Sequence, residues 1–97
     1  MVELKFQSKT YIHNKKKVKL VLSEYMADNI KVDMYIVEGG KRKFFDTITT
    51  YVDGTIGGNF QYVKSKYVKW LKKNKIAEPL DMLYISNGQT SQICKFI

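Results

Sequence analysis

Ninety-seven residues with 44% hydrophobic and 13% aromatic content suffice for one core and are too few for two, so a single small domain over 1–97 is expected rather than a disordered chain. Seventeen Lys and Arg against nine Asp and Glu leave a net charge of +8, which argues against an acidic DNA mimic and points to polyanionic partners. No apolar run approaches the roughly 18–20 residues of a membrane span, and the lone Cys94 excludes an internal disulfide, so no membrane and a cytoplasmic setting are expected.

Val2, Leu4 and Phe6 alternate with Glu3 and Lys5, which predicts a short strand and lacks the continuous apolar stretch of a secretory signal. Ser8 to Lys17 reads as a loop that ends in the densest charge run, Lys15-Lys16-Lys17. Val18, Leu20 and Leu22 give a second strand, and Ala27-Asp28-Asn29 supplies turn chemistry. The clearest β signal follows: Ile30, Val32, Met34 and Ile36 alternate with Lys31, Asp33 and Tyr35. Glu38-Gly39-Gly40-Lys41 predicts a hairpin, because glycine adopts positive φ at little cost. A return strand from Arg42 to Val52 carries Phe44, Phe45, Ile48 and Val52 among threonines, and Asp53-Gly54 turns the chain out of it.

The chain is expected to be organised around an amphipathic helix over about 59–74. Phe60, Val63, Tyr67, Trp70 and Leu71 recur at helical spacing as a core-facing stripe, with Asn59 placed to cap the start and Asn74 and Pro79 bracketing the exit. Beyond it, Leu80 to Ile85 and Ile93 to Ile97 are short apolar segments joined through Asn87-Gly88, a strong two-residue hairpin signal. The fold class is therefore α+β: one antiparallel sheet of about five or six strands with one helix packed across it.

Catalytic arrangements are thin. His13 is the only histidine and so the obligatory base of any Ser-His or Cys-His pair, yet it falls in the expected loop. Cys94 sits among Ile93, Phe96 and Ile97 and reads as a small buried hydrophobe. Asp28, Asp33, Asp46 and Asp53 match no zinc or EF-hand spacing, and an Asp46/Asp53 acid–base pair is explained as simply by turn and surface roles. Gly57-Gly58 lacks the Gly-Lys-Ser/Thr ending of a phosphate loop and reads as a flexible entry to the helix. No enzyme, metal or cofactor is expected.

The strongest constellation is aromatic plus basic. Tyr62, Lys66, Lys69 and Lys73 are helix-face neighbours at i, i+4, i+7 and i+11. Lys15, Lys16 and Lys17 at a loop, and Lys41, Arg42 and Lys43 at a hairpin, extend a positive surface. Tyr35 and Tyr51 are candidate stacking platforms on the outward sheet face. Single-stranded nucleic-acid binders combine a cationic groove with stacking rings. All the basic residues but Arg42 are Lys, a point charge rather than a bidentate fork, so strand charge is a better fit than base-edge readout.

From Tyr25 onward the chain resembles a family of small proteins of unknown function carried by phages and conjugative elements. The matching segments are Tyr25 through Ile30 (YMADNI), Phe45-Asp46-Thr47-Ile48-Thr49-Thr50-Tyr51 leading to Val52-Asp53, Trp70-Leu71-Lys72-Lys73-Asn74-Lys75-Ile76 with Pro79-Leu80, and the closing Lys95-Phe96-Ile97. The resemblance implies an accessory protein of a mobile element and supplies no catalytic residue. Two expectations follow. One is a non-enzymatic binding protein that engages a host macromolecular partner, with a host-defence complex as the anti-defence case. The alternative is a nucleic-acid-binding module using the Lys/Tyr helix face. A homodimer through a sheet edge is compatible with either.

Overall fold

The computed structural model describes residues 4–25, 29–52 and 57–97. The Val2–Glu3 part of the expected first strand, the Ala27-Asp28 turn and Asp53-Gly54 lie outside the described residues. Among the described residues, eight strands form two four-stranded antiparallel sheets with one helix, an α+β architecture that replaces the expected single sheet. Sheet one is a meander of β1 (Thr10–His13), β2 (Lys16–Glu24), β3 (Ile30–Glu38) and β4 (Lys41–Thr47). The second sheet has the order β5-β6-β8-β7, built from β5 (Thr49–Thr50), β6 (Phe60–Lys64), β7 (Ala77–Ser86) and β8 (Gln89–Phe96).

Three tight connections use one solution. Asn14-Lys15, Gly39-Gly40 and Asn87-Gly88 all hold positive φ at both central positions, the backbone of two-residue hairpin turns whose twist matches the strands. The latter two were legible from glycine. The first converts the expected Ser8–Lys17 loop into the β1–β2 hairpin, in which His13 pairs with Lys16. Leu4 and Phe6 are buried as expected, but Lys5–Ser8 forms a turn of 3₁₀ helix instead of a strand.

The expected Arg42–Val52 strand is split between the sheets at Ile48. Its N–H donates to the Val32 carbonyl of β3 at 2.9 Å, and its own carbonyl accepts from Lys64 of β6 at 2.9 Å. Beside it, the Thr49 hydroxyl accepts the Val32 N–H and the Gln61 amide donates to the Ile30 carbonyl. Each of these bonds satisfies a buried polar group where one sheet hands the chain to the other.

The helix α1 covers Ser65–Lys73 and follows β6 without a loop, so the expected start at Asn59 is corrected by six residues. Phe60–Lys64 is taken into the second sheet between β5 and β8, where Gln61, Tyr62 and Val63 are buried in succession. Ladder bonds on both sides outweigh a helical period that rested on few residues. Asn59 does not cap; its amide donates to the Phe96 carbonyl at 3.2 Å. Asn74 does close the exit, its backbone and side-chain N–H groups both donating to the Trp70 carbonyl. Val18, Leu20, Val32 and Met34 of the first sheet, Val63, Cys94 and Phe96 of the second, and Tyr67 and Leu71 of the helix form one buried cluster. No helix among the described residues is long and apolar enough to cross a membrane.

Candidate nucleic-acid interface

Two helix side chains hold the two hairpins of the first sheet in place. Trp70 donates its indole N–H to the Ile12 carbonyl at 2.8 Å and packs edge-on against Tyr11 and His13, which ties β1 to α1. Tyr67 donates its hydroxyl to Asp46 Oδ2 at 2.5 Å, which ties β4 to the same helix. Lys64 Nζ lies 3.0 Å from Asp46 Oδ1 and Lys66 Nζ lies 3.5 Å from Oδ2. Burial acts to raise the Asp46 pKa, but the hydrogen bonds from Tyr67 and Lys64 and the two lysine charges outweigh it and hold the carboxyl below its ordinary range. Burial and the bond to Asp46 push the Tyr67 phenol up, so it stays a donor. Asp46 is therefore a structural anchor, and its supposed partner Asp53 lies outside the described residues.

Between these anchors, the open end of the first sheet forms a groove. One part, about 230 Å³, is lined by His13, Lys16, Val18, Ile36 and Phe45; an adjoining part of about 480 Å³ shares Lys16, Ile36 and Phe45 and adds Lys41, Arg42, Lys43 and Phe44. Strand register explains the convergence. His13 pairs with Lys16 and Glu38 with Lys41, while Val18 pairs with Ile36 and Ile36 with Lys43, so alternate residues fall on the helix side. A bulge opposite Met34/Tyr35 inserts Phe45 into β4 and leaves consecutive phenylalanines accessible, Phe44 at 53% and Phe45 at 45%.

The other face of the same end continues the pattern. Phe44 packs edge-on against Tyr35 with centroids 5.7 Å apart, and the Arg42 guanidinium lies 5.1 Å from the Tyr35 ring. Lys19 pairs with Tyr35, and Ile12 pairs with Lys17. Lys16 is 3.6 Å from Glu38, a largely exposed pair of little energetic weight. Among the described residues, Lys41, Arg42 and Lys43 form no ion pair within 4.0 Å.

The structure thus brings Lys16, Lys41 and Lys43 to the helix side of the sheet end, with Lys15 at the adjoining turn and Arg42, against Tyr35, on the opposite face with Lys17. The helix-face set is broken up. Tyr62 lies in β6, buried with its ring against Tyr84, and cannot share a face with Lys66, Lys69 and Lys73, which remain exposed on α1. Tyr51 packs against Tyr25 rather than standing alone. His13, expected in a mobile loop, is half-buried against Phe45, Tyr67 and Trp70, and burial lowers its pKa. The residues missed were Phe44, Phe45 and His13; two adjacent phenylalanines at the end of a basic run were the available signal. Cys94 is buried and its thiol is pushed up to about 11, as a packed hydrophobe requires. Among the described residues, no three or more His, Cys, Asp or Glu side chains gather at one point. Gly57-Gly58 precedes a strand, which removes the helix N-terminus that an anion cradle would need.

Compared with models of protein families, with curated proteins and with solved structures, the chain matches none.

Proposed function

We propose that this protein binds single-stranded nucleic acid through the open end of its first sheet. The observation that carries the reading is the convergence of Lys16, Lys41, Arg42 and Lys43 around the accessible rings of Phe44 and Phe45. Lys41, Arg42 and Lys43, which have no carboxylate within 4.0 Å among the described residues, offer counterion release from phosphates, while Lys16 is shared with Glu38; exposed rings offer stacking surfaces that only unpaired bases can use. Lys66, Lys69 and Lys73 on α1 stay exposed and add to the positive charge of the surface.

The test is fluorescence anisotropy with labelled single- and double-stranded DNA and RNA across a salt series. Single strands are expected to bind more tightly, with log K falling by roughly 0.7 per neutralised phosphate for each decade of salt. Lys41→Glu with Lys43→Glu should weaken binding and flatten the slope. Phe45→Ala should cost about 1–3 kcal/mol per lost base stack while leaving the slope unchanged. Binding that disappears at moderate salt and ignores Phe44 and Phe45 would sink this reading. The groove would then fit an acidic protein surface instead, consistent with a mobile-element protein that engages a host partner, and affinity capture from a bacterial host becomes the next experiment.

A further inference from the structure

The charge that fills the rest of the chain is missing from one segment. All seventeen Lys and Arg lie outside 77–94, which carries only Glu78 and Asp81 as charged residues. That segment is all of β7 and β8 up to Cys94, stopping just short of Lys95, and β7 is an edge of the second sheet that pairs, among the described residues, with β8 alone. Its apolar side chains face water: Leu80 is 38% exposed, Met82 57%, Leu83 63% and Ile85 71%, with Tyr84 between the last two at 37%.

Edge strands are ordinarily guarded by lysine, proline, bulges or a covering element. The other edges obey this. β4 carries Lys41, Arg42 and Lys43, β1 has its Ile12 carbonyl bonded by Trp70, and β5 is only two residues long. On β7, Pro79 and the irregularity between Pro79 and Leu83 guard the first part. From Leu83 to Ser86 the ladder with β8 is regular, and among the described residues nothing comparable protects its outer side. An exposed apolar edge of this kind is a template for another strand.

We infer that the occupant is a second copy of this chain, paired β7 against β7 around a two-fold axis. Two bodies of charge +8 repel, and this is the segment where they meet without bringing lysines together. A polyanion has nothing to bind there. An antiparallel register centred on Tyr84 sets each Leu83 opposite the second copy's Ile85, burying an apolar pair twice, and sets Asp81 opposite Asn87, which keeps the acids apart. Isologous pairing of this kind closes on itself and joins two four-stranded sheets into one of eight strands. It leaves both basic grooves on edges that the pairing does not use.

Sedimentation equilibrium on the full chain tests the inference. The wild type is expected at about twice the 11.3 kDa of one chain, and more completely so in molar salt, where repulsion is screened. Leu83→Lys and Ile85→Lys install the missing guard and should raise the dissociation constant at least tenfold, with far-UV circular dichroism unchanged because both positions are exposed. Phe44→Lys, on the β4 edge of the first sheet, should leave the mass unchanged. Oxidising an equimolar mixture of Leu83→Cys and Ile85→Cys chains should give the mixed disulfide in preference to either homodimer, since Cys94 is buried. A wild type that stays monomeric up to millimolar concentration overturns the inference and leaves the edge to an unlike protein. A dimer indifferent to both lysine substitutions overturns it as well, by placing the interface elsewhere.

Discussion

Asp46 shows how much of this molecule turns on single side chains. It takes a hydrogen bond from Tyr67 and sits against Lys64 and Lys66, so one carboxylate joins β4, β6 and α1. Its folded-state pKa is below the unfolded value, so the stabilisation is present above about pH 4 and is lost as pH falls through the lower folded value. Asp46→Asn is expected to cost about 1–2 kcal/mol at neutral pH and to flatten the acid limb of a urea-denaturation series. His13 has the same sign by a different cause. Burial lowers its pKa, so as pH drops through about 6.5 the unfolded chain takes the proton first and stability declines. His13→Phe should remove that slope while keeping the ring contacts to Trp70 and Phe45. Neither role was visible in sequence, because both depend on residues far along the chain: 21 positions separate Asp46 from Tyr67, and 57 (70 minus 13) separate His13 from Trp70.

Elements divide by the range of the interactions that form them. The Ile30–Ile36 alternation and the Gly39-Gly40 and Asn87-Gly88 turns were readable because each is settled by neighbouring residues. Asn14-Lys15 adopts the same turn with a less favourable pair, which is why the hairpin read as a loop. Lys15 holds φ +66, and the left-handed region costs an L-residue about 1–2 kcal/mol. Lys15→Gly should therefore stabilise the fold by about 0.5–1 kcal/mol, once the greater freedom of glycine in the unfolded chain is subtracted. Gly88→Ala should do the reverse by about 1 kcal/mol: open space surrounds its Cβ position, so the cost is backbone strain at φ +76 alone. Paired thermal melts read both. The start of α1 belongs to the other class, since Phe60–Lys64 fits a helical stripe locally and becomes strand only because β5 and β8 flank it.

At the scale of the whole molecule, charge and apolar surface are segregated. Lysine and aromatic rings converge at the open end of the first sheet, while β7, which carries no basic residue, presents bare apolar residues at an edge of the second. The two proposed interactions accordingly have opposite responses to salt. Raising it from 0.1 to 1 M should weaken oligonucleotide binding by orders of magnitude while strengthening self-association, and anisotropy and sedimentation on the same samples check both signs. If both quantities fell together, the self-association would be charge-driven and the edge model wrong.

Composition and local pattern were sufficient for the net charge, the α+β class, the strand over Ile30–Ile36, two of the three hairpin turns and a buried Cys94. These follow from residue chemistry and from periods of a few residues, which need no knowledge of the rest of the chain. Only the tertiary structure decided that the Arg42–Val52 run divides between two sheets at Ile48, that Tyr62 is buried in a strand, and that His13 and Phe45 meet in the groove that Lys16 lines. The physical reason is common to all three. A buried backbone or ring is placed by the hydrogen bonds and contacts available at distant positions, and a short apolar run is equally good as helix or strand until those partners are present.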